Sequence, residues 1–273
     1  MCYLIQDAEN GTLLALKLGF SHLDSAPIYE NEASVGKAIS SSGVPRERLY
    51  VTTKYDGGDI EAELRKSLAD LGLDYVDLYL HHHPKLSEGG DHAKAWKEFE
   101  KVQEKGLAKS IGVSNFGVAD MEAIFASKPK ILPAVNQIRL HPYNYAESKP
   151  LLDLCASHNI VIEAFRILYP LTRAPGGAVD VVIEKVAQRI GGTPAQVLFK
   201  WALARRVVVV TTSENEDRLV QYLNTFSLAD LTSEEIDEID AAGAKGSPPE
   251  SNLGPVATEQ VAAIAARLGI QRF

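Results

Sequence analysis

The sequence predicts an α/β protein whose parallel strands close into a barrel. Two observations carry this expectation. Seven short β-branched or apolar runs recur along the 273 residues, and amphipathic helical stretches separate them. Strands that alternate with helices imply a parallel sheet, and seven or eight such units imply closure. The run Val207-Val208-Val209-Val210 is also continuously apolar, as expected for a strand buried on both faces.

In chain order, strands are expected at 22–25, 49–53, 76–81, 108–113, 134–138, 160–165 and 207–211. Helices are expected at 8–18, 31–41, 59–71, 91–105, 118–127, 147–158, 179–190 and 194–204. Thr193-Pro194 opens the last of these with a cap and a first-turn proline. The stretch 246–255 reads as a surface loop before a final Ala-rich helix at 256–268. No interdomain linker, solenoid repeat or low-complexity tract interrupts the pattern, so residues 1–273 are expected to form a single barrel domain.

Composition narrows the function. The chain is 45% hydrophobic and carries a net charge of −8, which disfavours nucleic acid or an anionic membrane as partner. Its two cysteines, Cys2 and Cys155, fit a reducing compartment rather than a disulfide framework. No apolar run approaches a membrane helix, and the N-terminus lacks a signal-peptide pattern, so a cytoplasmic location is expected. No obligate protein partner is evident.

The reactive residues fall at strand ends, where barrels of this kind carry their chemistry. Asp24, Lys54 and His82 close three successive strands, and Tyr29 follows five residues after Asp24. By period-two alternation His82 continues the inward row of Leu78 and Leu80, while His81 shares the opposite face with Asp77 and Tyr79. A phenol is a poor acid at neutral pH, but a neighbouring ammonium favours its ionised form, and a carboxylate keeps that ammonium charged and in place. Tyr29 as proton donor, Lys54 as its tuner, Asp24 as orienter and His82 as guide for a substrate carbonyl make a complete set. None of them is a hydride source, so a cofactor must supply one.

These motifs resemble the aldo-keto reductase family. Asp24-Ser25-Ala26-Pro27-Ile28-Tyr29-Glu30-Asn31-Glu32 is similar to its Asp-Thr-Ala-x-x-Tyr-x-Asn-Glu signature, and Asp77-Leu78-Tyr79-Leu80-His81-His82-His83-Pro84 to its Asp-Leu-Tyr-Leu-x-His-x-Pro. Gly112-Val113-Ser114-Asn115-Phe116 and Asn136-Gln137, followed by His141-Pro142-Tyr143, match two further blocks. The resemblance implies a (β/α)8 TIM-type barrel, NADPH, and reduction of an aldehyde or ketone to an alcohol with Tyr29 as the acid. It assigns Ser114, Asn115 and Gln137 to the nicotinamide carboxamide, with Phe165 stacking on the ring where the family usually has Tyr.

Ser213 and Arg218 match positions that grip the 2′-phosphate of NADP, although Thr212 and Tyr222 depart from the family's usual Lys and Asn. His82, His83 and Phe116 are expected to contact the substrate. The polar character of His83 and Asp56 points to a polar or dicarbonyl compound. Adjacent strand residues face opposite ways, so His81-His82-His83 cannot converge on one ion and no metal site is expected.

Family members begin with a β-hairpin floor and a first strand ending in Gly-Thr-aromatic. Met1-Cys2-Tyr3-Leu4-Ile5 makes at most a short substitute, so the resemblance implies a barrel lacking the hairpin and most of the first strand. Two rival readings follow: a non-catalytic NADPH-binding regulatory relative, and a truncated barrel with impaired activity.

Overall fold

The computed structural model describes residues 7–249. The substitute strand at 1–5, the final helix at 256–268 and most of the loop before it lie outside the described residues. Seven parallel strands form one sheet in chain order: β1 (His22–Asp24), β2 (Tyr50–Tyr55), β3 (Val76–His81), β4 (Ala108–Ser114), β5 (Val135–Arg139), β6 (Val161–Phe165) and β7 (Val208–Val209). Strand i pairs with strand i+1 throughout, with Asp24 opposite Thr52, Lys54 opposite Leu80, Ser114 opposite Gln137 and Arg139 opposite Phe165. Each crossover carries at least one helix, as parallel neighbours require.

The helices are α1 (Ala8–Leu18), α2 (Glu32–Ser41), α3 (Ile60–Leu71), α4 (His92–Glu104), α5 (Val118–Ala126), α6 (Tyr145–Ser157), the single turn α7 (Tyr169–Thr172), α8 (Ala178–Ile190), α9 (Pro194–Leu203), α10 (Glu216–Asn224) and α11 (Ser233–Gly243). Their termini follow from the sequence. Asp59 caps α3 by accepting from the Ala62 N–H, and Gly72 ends it in the left-handed region at φ 66°. Between these caps Ile60, Leu64, Leu68 and Leu71 form one buried stripe toward the sheet. Thr193 and Gln196 form the expected capping box of α9, with Pro194 in its first turn.

Three helices were absent from the sequence expectations, the single turn α7 and the longer α10 and α11. α10 is capped by Asn215, and α11 by a Thr232–Glu235 box. The core-facing surface of α11 is thin, with Ile239, Ala242 and Gly243 as its buried residues, so apolar periodicity is weak there.

The last strand also differs from expectation. Val207 and Val210 are buried, but Val208 and Val209 are only partly so. β7 pairs with β6 on one side. On its other side it borders an apolar groove of about 590 Å³, lined across from it by Phe20 and His22.

The sheet curls so that β5 reaches β1 across the interior: the side chain of Gln137 bonds that of Asp24. Leu78, Leu80 and Val135 fill part of this interior. Gly112 is required beside them, because a Cβ there would lie 2.7 Å from the Val135 carbonyl oxygen. The outer faces of the strands and the inner faces of the helices form the main core around Trp96, Phe99, Trp201 and Leu64. Burying side chains of this size contributes roughly 1.5–3 kcal/mol each. No helix among the described residues is long and apolar enough to cross a membrane.

Candidate active site

Lys54 is the centre of the site. It ends the inward row of β2, and its side chain is fully buried. A buried ammonium is costly unless paired and hydrogen-bonded. Here Nζ donates to Asp24 Oδ1 from the end of β1, to the Ser25 carbonyl oxygen at 2.9 Å and to the Tyr29 hydroxyl at 3.5 Å. The 3₁₀ turn Pro27–Tyr29 follows β1 directly, and Pro27 at its start helps to fold the chain back so that Tyr29 returns over Lys54.

His82 follows β3 and stands edge-on to the Tyr29 ring, with centroids 6.1 Å apart at 89°. The four residues expected to act together are therefore brought together. His81 points outward as expected. It packs between Tyr55, Phe99 and Phe116, and its Nε2 meets Ser87 Oγ at 3.1 Å. Ser87 also meets His92 Nδ1 at 2.8 Å, and His92 Nε2 meets Asp120 at 3.1 Å, which ties the loop after His82 to α4 and α5.

Two participants escaped the sequence reading. Asp56, read there as a pocket residue, lines an adjoining hollow and is also committed to His82: Oδ1 lies 2.6 Å from His82 Nδ1, and Oδ2 accepts the Ile28 N–H at 3.0 Å. Its signal was available, since residue 56 shares the face of Lys54 by alternation. Glu163 lies inside β6, 2% exposed, and accepts from Gln137 Nε2 at 2.8 Å. Burial, reinforced by the nearby Asp24 carboxylate, pushes its pKa up to about 7. A carboxylate inside an otherwise apolar strand was the clue to it.

Ser114, Asn115 and Gln137, expected to hold the nicotinamide, form one patch beside these groups. Ser114 Oγ donates to the Gln137 carbonyl oxygen at 2.8 Å, and Asn115 Nδ2 donates to the His82 carbonyl oxygen at 3.0 Å. Asn115 adopts φ 62°, a left-handed conformation that Asn tolerates better than most residues. Gln137 Nε2 is shared between Asp24 Oδ2 at 2.6 Å and Glu163. Phe165 and Tyr29 belong to one apolar cluster with Ala26, Ile28 and Val210.

Ser213 and Arg218 stand apart at the start of α10. Ser213 Oγ accepts from the Asn215 N–H at 3.1 Å, and the Arg218 N–H donates to Asn215 Oδ1 at 2.9 Å. The Arg218 side chain is exposed. His83 is partly exposed and accepts the Lys85 N–H at 3.2 Å through Nδ1.

Phe116 is placed differently from expectation. It is 1% exposed and packs against His81 and His92, so its ring is not offered to a substrate. The left-handed turn at Asn115 breaks the alternation that would have carried it inward. A hollow of about 440 Å³ lined by Ile28, Asp56, Gly57 and Leu86 adjoins the site, but Tyr29, Lys54 and His82 do not line it.

This geometry agrees with comparisons to known proteins. The model described as "Aldo/keto reductase family" matches residues 6–171 and 178–244. An aldo-keto reductase of Mycolicibacterium smegmatis is 41% identical over 242 residues, 85% of this chain and 81% of that protein. An NAD/NADP-dependent indole-3-acetaldehyde reductase of Schizosaccharomyces pombe is 37% identical over 84% of this chain and 81% of its own length. The crystal structure of an aldo/keto reductase from Brucella melitensis superposes with a TM-score of 0.78 at 33% identity, covering 87% of this chain and 90% of that one. A family match spanning nearly all described residues, joined to a Tyr–Lys–Asp–His group at the strand ends, shows that the chain belongs to the aldo/keto reductase family.

Proposed function

We propose that the protein reduces an aldehyde or ketone to an alcohol at the expense of NADPH, with Tyr29 as the proton donor. The observation that carries this reading is the Lys54 ammonium, held by Asp24 and 3.5 Å from the Tyr29 hydroxyl, with the His82 ring alongside.

The neighbouring patch fits a nicotinamide. Among the described residues Asn115 Oδ1 and Gln137 Oε1 accept no hydrogen bond, which suits them to a carboxamide NH2. Phe165, in the Tyr29 cluster, supplies an aromatic ring for stacking. Arg218 and Ser213 would meet an adenosine 2′-phosphate at the N-terminus of α10, where the helix dipole favours an anion. A bound NADPH would supply the hydride that the carbonyl carbon needs.

The protein's own groups manage the proton. Tyr29 gives its hydroxyl proton to the carbonyl oxygen as that oxygen becomes an alcohol. The phenolate left behind faces the Lys54 ammonium, which Asp24 keeps charged and in place, and it regains its proton from solvent after turnover. Asp56 holds the His82 imidazole by Nδ1, which leaves Nε2 as the nitrogen turned to the substrate side.

The test is NADPH oxidation over a panel of reactive carbonyls with wild type and Tyr29→Phe. Tyr29→Phe is expected to lower kcat about 10²–10⁴-fold while NADPH still quenches tryptophan fluorescence. Full activity in that variant would overturn the assignment.

A further inference from the structure

We propose that Glu163 is a positioning residue for the proton donor, a neutral carboxyl that acts on the Asp24–Lys54–Tyr29 chain through the Gln137 amide. The proposal rests on the reading that Tyr29 is the acid. It concerns a buried group that this chemistry otherwise leaves without a task.

One amide NH2 of Gln137 bridges two buried carboxyl groups, Asp24 at 2.6 Å and Glu163 at 2.8 Å. Asp24 is 3% exposed and Glu163 2%. Among the described residues one ammonium, that of Lys54, stands in this group, and it bonds Asp24 directly. Two ionised carboxylates beside a single ammonium would leave a net negative charge in a dry interior. The proton therefore resides on the carboxyl farther from the ammonium. That carboxyl is Glu163.

The groups around Glu163 bear this out. From β5 it meets Gln137. From β1 it feels Asp24, which opposes its ionisation, and from β2 Lys54, which favours it. Tyr50 of β2 is pushed up to about 12, first by burial and then by Glu163, and His22 of β1 is pushed down to about 4 by burial. Both stay neutral at physiological pH. The register partner from β7 is the apolar Val208. Glu163 itself titrates at about 7, so its charge changes within the working range.

Ionisation of Glu163 has two effects on the donor. A carboxylate accepts the amide hydrogen more strongly than a neutral carboxyl does, drawing Gln137 away from Asp24. It also places a second negative charge near Lys54, and so opposes the phenolate that proton donation leaves on Tyr29. The protonated form of Glu163 is thus the productive one, and turnover falls as pH rises through neutrality.

The experiment is the pH profile of kcat under saturating NADPH and carbonyl for wild type, Glu163→Gln and Tyr29→Phe. Glutamine keeps the shape and the neutral charge. Wild type is expected to lose about five- to tenfold in kcat across a limb centred near 7, while E163Q matches it at low pH and stays flat within about twofold. An E163Q profile that superposes on wild type overturns the proposal.

Infrared difference spectra of wild type carrying ¹³C-labelled glutamate make a second measurement that needs no variant. A protonated buried carboxyl band that titrates near neutrality supports the proposal, and absence of any such band overturns it. Loss of activity in Tyr29→Phe together with an unaltered E163Q profile would sink this inference alone. Full activity in Tyr29→Phe would sink the reading beneath it.

Discussion

Asp56 Oδ1 lies 2.6 Å from His82 Nδ1, and the other oxygen of the same carboxylate accepts the backbone N–H of Ile28. One side chain thereby joins the loop after β2, the residue after β3 and the turn that carries Tyr29. A carboxylate in this position fixes the tautomer of the imidazole and its plane, as second partners of functional histidines commonly do. The pair is also mostly shielded, with side chains 14% and 13% exposed.

Asp56→Asn therefore separates positioning from chemistry. The amide can donate where the carboxylate accepted, so His82 loses the constraint that presents Nε2 to the substrate. A drop in kcat/KM of about 10–100-fold is expected, carried mainly by carbonyl KM, with NADPH affinity unchanged. Steady-state kinetics against one good carbonyl, with cofactor titration by fluorescence, checks this. Unaltered kcat/KM would show that His82 needs no such anchor.

Lys54→Met tests the buried ion pair from a different side. Removing the ammonium leaves the Asp24 carboxylate buried without its counter-ion, which costs about 3–5 kcal/mol of stability. Activity should fall about 10²–10⁴-fold in the same variant. The double variant Asp24→Asn with Lys54→Met should recover most of the stability and none of the activity. Urea titrations beside turnover assays separate the two effects, and a double variant as unstable as K54M would refute the pairing argument.

Arg218 is exposed at the first turn of α10, and its neighbours Glu214, Glu216 and Asp217 are acidic and exposed too. Its guanidinium suits a 2′-phosphate through paired donors. Arg218→Ala should weaken NADPH binding about tenfold and leave NADH binding within twofold, the difference shrinking as salt rises. Equal losses for both cofactors would place the phosphate elsewhere.

Much of this arrangement was legible in the sequence because its signals are local. Period-two alternation placed His82 inside and His81 outside, and strand ends marked Asp24 and Lys54. What stayed hidden depends on distant pairing. The bond from Gln137 to Asp24 spans 113 positions, and nothing near Glu163 announces that the same amide will bridge it. Phe116 was expected at the substrate from its place in the loop after β4, and that place does not reveal that Asn115 turns left-handed and the ring packs into the core. The partial exposure of Val208 and Val209 reflects what lies beside β7, which a run of four valines does not reveal.

Three histidines, His81 and His141 buried and His22 partly so, give the protein a sensitivity to acid. Burial pushes His81 and His141 down to about 3 and His22 down to about 4, against an ordinary value near 6.5. Between those folded values and 6.5 the unfolded chain binds more protons than the native one, so stability rises with pH across that window and is lost on acidification. For His22 alone the shift corresponds to about 3 kcal/mol. Glu163 acts in the opposite sense: its raised pKa makes stability fall as pH climbs from about 4.5 to about 7. Glu32, also raised by burial, acts in the same sense as Glu163; the three imidazoles outweigh these two carboxyls, so the urea midpoint should decline steadily as pH is lowered from 6.5 toward 4. Glu163→Gln removes one opposing contribution and should steepen that decline. His81→Phe should make it shallower, although it gives up the bond to Ser87 at every pH. A midpoint constant from pH 7 to 4.5 in wild type would mean that these imidazoles are hydrated or charged in the native protein. In that case the packing described around Phe99 and Phe116 could not hold.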